Sequence, residues 1–195
     1  MFKKSYFLYP VLSLLLLFST AEIQAQSEEI SPERKHAIDS LALEKINDLS
    51  KYIKIVGNKK TDFSEAKRVI DRAEELFAEG SQIAVSTLAS EKITYYKVRP
   101  YFEHLMALNY DKVNIKWYDI QYVSDLEQQP DGRYVGVITI YQRFEGEQKD
   151  GLKYKDTTKK DITVYVERKQ TQIRGRLIDF WDVLLGDIRV IETKS

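Results

Sequence analysis

The hydrophobic period of this chain changes once, near Lys112, and that change limits its possible folds more than any other feature. Before it, apolar residues recur every three or four positions; after it, they alternate. A helix returns to the same face every 3.6 residues and a strand every two, so the two regions cannot be built from one element type. A helical first third followed by a strand-rich remainder describes an α+β domain.

Within the helical part, Ser31-Pro32-Glu33 opens the first helix with a capping hydroxyl, a proline of suitable φ and an acid in the first turn. Ile38, Leu41, Ala42, Lys45, Ile46, Leu49 and Ile53 follow at helical spacing, with Lys45 as the one break, and Gly57-Asn58 ends the segment. A second helix starts at Thr61 or Ser64, carries the stripe Ala66, Val69, Ile70, Ala73, Leu76 and Phe77, and stops at Gly80. Its opposite face holds Lys67 and Asp71 four residues apart. Ile83, Val85 and Thr87 predict a short strand. Pro100 then starts a third helix that runs to about Leu108, with Tyr101, Phe102, Leu105, Met106 and Leu108 as its apolar face.

The strands carry a further signal. Val113, Ile115 and Trp117 are odd-numbered, whereas Ile120 and Tyr122 are even; Trp181, Val183 and Leu185 are odd, whereas Ile188 and Val190 are even. A strand exchanges its buried parity only if a residue is inserted, so β-bulges are expected near Tyr118-Asp119 and at Gly186-Asp187. Between them, Pro130-Asp131-Gly132 and Lys149-Asp150-Gly151 read as turns, the first with φ > 0 at its glycine. They bound a strand with Tyr134, Gly136, Ile138, Ile140, Gln142 and Phe144 on one side. Ile162, Val164 and Val166 follow, and a last strand starts at about Ile173. Short turns imply an antiparallel sheet, and two bulges imply that it curves around the helices.

This order of elements, with its bent strands, resembles the cone-shaped superfamily of ketosteroid isomerase and nuclear transport factor two across most of residues 31–192. The likeness is one of architecture and rests on no diagnostic motif. It implies N-terminal helices packed against a curved antiparallel sheet, with the third helix able to face a pocket; another helix-on-sheet α+β topology is the alternative. Isomerases of this shape use an acid with a tyrosine, but no position-by-position match exists here and no role is carried over.

The ends and the composition set the context. Lys3 and Lys4, an apolar stretch from Phe7 to Phe18 and the segment Ile23-Gln24-Ala25-Gln26 have the three-part build of a secretory signal, with cleavage after Ala25. An apolar core of roughly twelve residues is shorter than the ~20 that span a bilayer. The reading is therefore a signal peptide over 1–25 and a single domain over 26–195, exported to a periplasm or the exterior, in a bacterial envelope. Removing Lys3, Lys4 and Glu22 leaves 28 basic against 29 acidic residues, which offers nothing to a polyanion. Tyrosines lie alongside lysines in Lys116-Trp117-Tyr118 and Lys153-Tyr154-Lys155, a pattern that strand propensity and edge protection explain without nucleic acid.

Candidate chemistry is sparse. The chain has no cysteine, which removes disulfides, thiol nucleophiles and thiolate metal sites. It has no GxSxG, phosphate loop, HExxH or Gly-rich dinucleotide turn. Asp131-Gly132 and Asp150-Gly151 lack the alternate oxygen ligands of a calcium loop, so neither metal nor cofactor is expected. His36 reads as solvent-facing, and His104 lies at the edge of the third helix's apolar stripe. Asp179, Asp182 and Asp187 surround Trp181, and Asp179 has the inward parity, beside an aromatic wall that would raise its pKa. The candidate pocket-lining residues are thus Trp117, Phe144, Trp181, His104 and Asp179, with the three aromatics facing the third helix. The expected function is an exported non-catalytic module that binds a protein partner or a small apolar ligand through the curved sheet. The alternative is an isomerase- or hydratase-like enzyme acting on an apolar small molecule. Oligomeric state has no signature in the sequence.

Overall fold

The Ser31 hydroxyl accepts the Arg34 backbone N–H at 3.3 Å, and Pro32 occupies the first turn of α1 (Pro32–Gly57), as its cap predicts. The computed structural model that shows this describes residues 30–195 except Ala89 and Val123, so the signal sequence read over 1–25 lies outside the described residues. Ile38, Ala42, Ile46, Leu49, Ile53 and Val56 are buried along α1, whereas Leu41 is exposed and Lys45 half-buried. Leu41 and Lys45 together flank the stripe, so Lys45 does not interrupt it.

α2 (Phe63–Glu74) buries Ala66, Val69, Ile70 and Ala73 and ends six residues before Gly80. The backbone beyond it is claimed by another partner. The Ala78 N–H donates to the Leu185 carbonyl at 2.7 Å, and the Leu185 N–H donates to the Leu76 carbonyl at 2.8 Å. Leu76 and Phe77 keep their buried side chains while their main chain joins the sheet. α3 (Val98–Ala107) buries Val98, Tyr101, Phe102 and Leu105, with Pro100 in the first turn, where no helical acceptor is needed.

The described residues form seven strands, the first two before α3: β1 (Gln82–Thr87), β2 (Ser90–Lys97), β3 (Lys112–Tyr122), β4 (Glu127–Gln128), β5 (Tyr134–Gln148), β6 (Gly151–Ile173) and β7 (Arg176–Lys194). The sheet runs β2-β1-β7-β6-β5-β3, with β4 beside β5, and its two outer strands do not pair with each other. It is mixed rather than wholly antiparallel: β1 runs parallel to β7 through Ile83 and Ile188. No turn joins these two strands, so turn geometry, the basis for expecting antiparallel pairing, has no say in their direction. β2 was not foreseen; Ile93 and Tyr95 alternate with Lys92 and Thr94 but are exposed on this edge strand, so their face packs no core. The last strand also starts later than expected. Ile173 closes β6, and Arg174 and Gly175, with φ of 49° and 80°, turn the chain into β7. Positive φ at both central residues is the geometry of a tight hairpin, but arginine is not the residue that announces it. Gly132 has the expected positive φ, 85°.

Both expected bulges are present. On β3, Tyr118 pairs with Tyr141 but Gln121 pairs with Thr139, so Asp119 and Ile120 share one partner, with Asp119 at φ 51°. On β7, Ile188 pairs with Ile162 but Leu185 with Val164, which sets Gly186 and Asp187 against Thr163. Burial changes parity there, from Val183 and Leu185 to Ile188. A third irregularity sets Ile191 apart between the pairs Lys159–Glu192 and Lys160–Val190. The core lies on one face of the sheet, where Ile138, Ile140, Ile162, Val164, Val166, Val183, Leu185 and Ile188 meet the three helices. On the opposite face, Lys159, Asp161, Thr163 and Tyr165 are half-buried.

Candidate functional site: a cavity at the polar end of the sheet

The inward-facing parity of β6 reads Asp156, Thr158, Lys160, Ile162, Val164, Val166. One strand face is polar for three positions and apolar for three. The apolar half is packed. The polar half, paired with Phe144, Gln142 and Ile140 of β5, borders a cavity of about 330 Å³. Val85, Ser86 and Thr87 of β1 form one wall, and Tyr101, His104 and Leu105 of α3 another. Leu108, Tyr110, Ile115 and Phe144 complete the apolar lining, with Gln142, Tyr154, Asp156, Thr158 and Lys160 across from them. Gly146 makes room for one of these residues: a Cβ there would stand 2.6 Å from the Tyr110 ring. That ring meets Phe144 edge-on, with centroids 5.9 Å apart.

Asp156 and Lys160 are 4% and 3% exposed, and their surroundings decide what the cavity asks for. Asp156 Oδ2 accepts the Tyr154 hydroxyl at 2.6 Å, while Oδ1 is buried with no hydrogen-bond partner among the described residues. Burial raises the Asp156 pKa, opposed by the tyrosine hydrogen bond and the charge of Lys160. Lys160 Nζ donates to the Ala84 carbonyl at 3.1 Å, and burial lowers its pKa to about 8 against the attraction of Asp156. The Tyr154 phenol is pushed up to about 12 by burial and by its bond to Asp156, and it accepts the Leu88 backbone N–H at 2.8 Å. Burial alone raises Tyr101. Thr193 links the hydroxyls of Ser86 and Thr158.

The structure distributes the five candidate residues unevenly. Phe144 lines the cavity, and His104 stands exposed on its rim, its ring stacked on Tyr96 at 5.1 Å. Trp117 is half-buried one layer behind: its Nε1–H donates to Gln142 Oε1 at 3.1 Å, and Gln142 lines the cavity. Trp117 also borders a separate groove with Lys54 of α1, Lys116, Tyr118 and Arg143. Trp181 lies at the far end of the sheet, edge-on to Tyr134 at 5.7 Å and under the Arg34 guanidinium of α1. Asp179 keeps the inward parity but sits beyond Val166 and Tyr134, the last pair joining β6 to β5. Past that pair β6 and β7 continue as a ribbon, and the exposed Asp179 pairs with Arg168 at 2.8 Å, which lowers its pKa instead of raising it.

Asp156, Thr158 and Lys160 escaped the sequence reading, which took the inner face of β6 only from Ile162 onward. Their signal was the shared even parity. Tyr154, read as one more strand tyrosine between lysines, is the partner that holds Asp156. Among the described residues, no three histidine, aspartate or glutamate side chains gather as metal ligands, and no helix is long and apolar enough to cross a membrane. Comparison with protein-family models, curated proteins and solved structures finds no match.

Proposed function

We propose that this protein is an exported binding module for a small, mostly apolar molecule, held between α3 and the polar end of the sheet. One observation carries the reading: Asp156 lines an apolar-walled cavity of about 330 Å³, and its buried Oδ1 has no hydrogen-bond partner among the described residues. The volume falls within the ~300–1,000 Å³ of small-molecule sites. A buried acceptor left unsatisfied costs on the order of 1–3 kcal/mol, a cost that a ligand donor removes. The element order and the two bulged strands support the likeness to the cone-shaped superfamily, and so does a cavity bordered by the third helix.

A second reading is favoured by one contact, the Tyr154–Asp156 hydrogen bond at 2.6 Å inside the cavity. A buried acid held by a phenol can move protons, so an isomerase- or hydratase-like activity would use these two residues with Lys160. The binding reading needs less: no reacting geometry, only a cavity and its unsatisfied acceptor.

Titration with an uncharged, environment-sensitive naphthalene dye tests the proposal. Saturable binding at one site per chain is expected. Leu108→Trp, which fills the cavity from a half-buried wall position, should weaken it at least tenfold without lowering the melting temperature. Equal dye binding by the two proteins would place the dye elsewhere and remove the proposal's support.

A further inference from the structure

The two buried charges restrict the ligand further. Resting on the binding reading above, we infer that the cavity selects an uncharged amphiphile whose head group both donates and accepts a hydrogen bond, a hydroxyl or a primary amide. Among the described residues, nothing donates to the buried Asp156 Oδ1. Lys160 Nζ spends one N–H on the Ala84 carbonyl, and an ammonium has three. Both side chains project from the same face of β6, separated only by Thr158, and both line the cavity. The cavity wall therefore carries an acceptor and a donor, four strand positions apart.

Charge eliminates the other heads. A carboxylate would satisfy Lys160 but would be brought, desolvated, against Asp156. An ammonium would satisfy Asp156 but meet Lys160 in the same way. A zwitterion could satisfy both, yet it must shed the hydration of two charges in a cavity whose remaining walls are Val85, Leu105, Leu108, Ile115 and Phe144. A hydroxyl or amide donates to Oδ1, accepts from Nζ and brings no net charge. The burial that lifts the Asp156 pKa and lowers that of Lys160 acts against any added ion in the same sense.

An eight-carbon series differing only in its head tests this by displacement of the naphthalene dye: n-octanol, octanamide, n-octylammonium, octanoate and 2-aminooctanoate. Octanol and octanamide should compete at least tenfold better than the three charged members. Asp156→Leu should erase the advantage of octanol over octane, each measured by displacement against that variant's own dye affinity. Tighter competition by any charged member, or an unchanged advantage in Asp156→Leu, overturns the head-group inference while leaving the cavity reading in place. Failure of the dye itself to bind the wild-type chain overturns both. If Asp156→Leu does not fold, Asp156→Asn serves instead, with reduced octanol selectivity expected and unchanged selectivity overturning the inference.

Discussion

Lys160 shows how a single side chain can set a pH dependence for the whole domain. Its folded pKa of about 8 lies below the 10.5 of an ordinary lysine because its nitrogen is buried. Between those two values the unfolded chain keeps a proton that the folded chain has released, so unfolding takes up a proton. Stability must then rise with pH across this window, and the buried ammonium's full cost is felt below about pH 8. A separation of two to three pKa units corresponds to about 3 kcal/mol for a fully buried group. Chemical denaturation of wild type and Lys160→Met at pH 7, 8, 9 and 10 should show a rise in the wild type that the variant lacks. Tyr154, pushed up to about 12, works in the opposite sense above pH 10. It is present in both proteins, so the difference curve isolates the lysine; parallel curves would mean that Nζ is solvated. Nothing in the residue type announces this. Lysine at 160 and aspartate at 156 read as ordinary strand positions until neighbouring elements bury them.

At the scale of elements, the bulges decide which side chains can meet. The parity exchange was legible because it needs only the strand's own alternation: Val183 and Leu185 inward, then Ile188. What the bulge also does was not legible. The Asp187 carboxylate accepts the Gln82 N–H at 3.0 Å and so holds the start of β1 against β7. Gly186 leaves room on the outer face for Tyr165, whose ring would lie 2.5 Å from an added Cβ. Gly186→Ala should therefore lower stability by about 1–3 kcal/mol through overpacking, read as a shift of the urea midpoint. In a Tyr165→Ala background most of that penalty should vanish, leaving the smaller approach of Thr163. An undiminished penalty would assign the cost to the backbone rather than to the ring. The end of α2 escaped for a related reason: Leu76 and Phe77 keep a helical apolar spacing, but the Leu76 carbonyl and the Ala78 N–H bond to Leu185 of β7.

Across the whole molecule, the two tryptophans report on opposite ends of one sheet. Trp117 is bonded to Gln142, which pairs with Thr158, whereas Trp181 pairs with Arg168. Ten positions of β6 separate them, about 33 Å of strand. A ligand in the cavity should shift Trp117 emission in a Trp181→Phe protein and leave Trp181 emission unchanged in a Trp117→Phe protein. A response confined to Trp181 would move the site to the other end of the sheet. The sequence by itself determined the α+β class, the caps of α1, the parity of the long strands and the positions of the two expected bulges. Each depends on neighbours a few residues away, and short-range periodicity records such constraints. The parallel union of β1 with β7, the edge strand β2 and the unfilled end of the core depend on contacts between distant segments. So do the changed pKa values of Asp156 and Lys160, because burial belongs to the elements that cover a side chain and not to the strand that carries it.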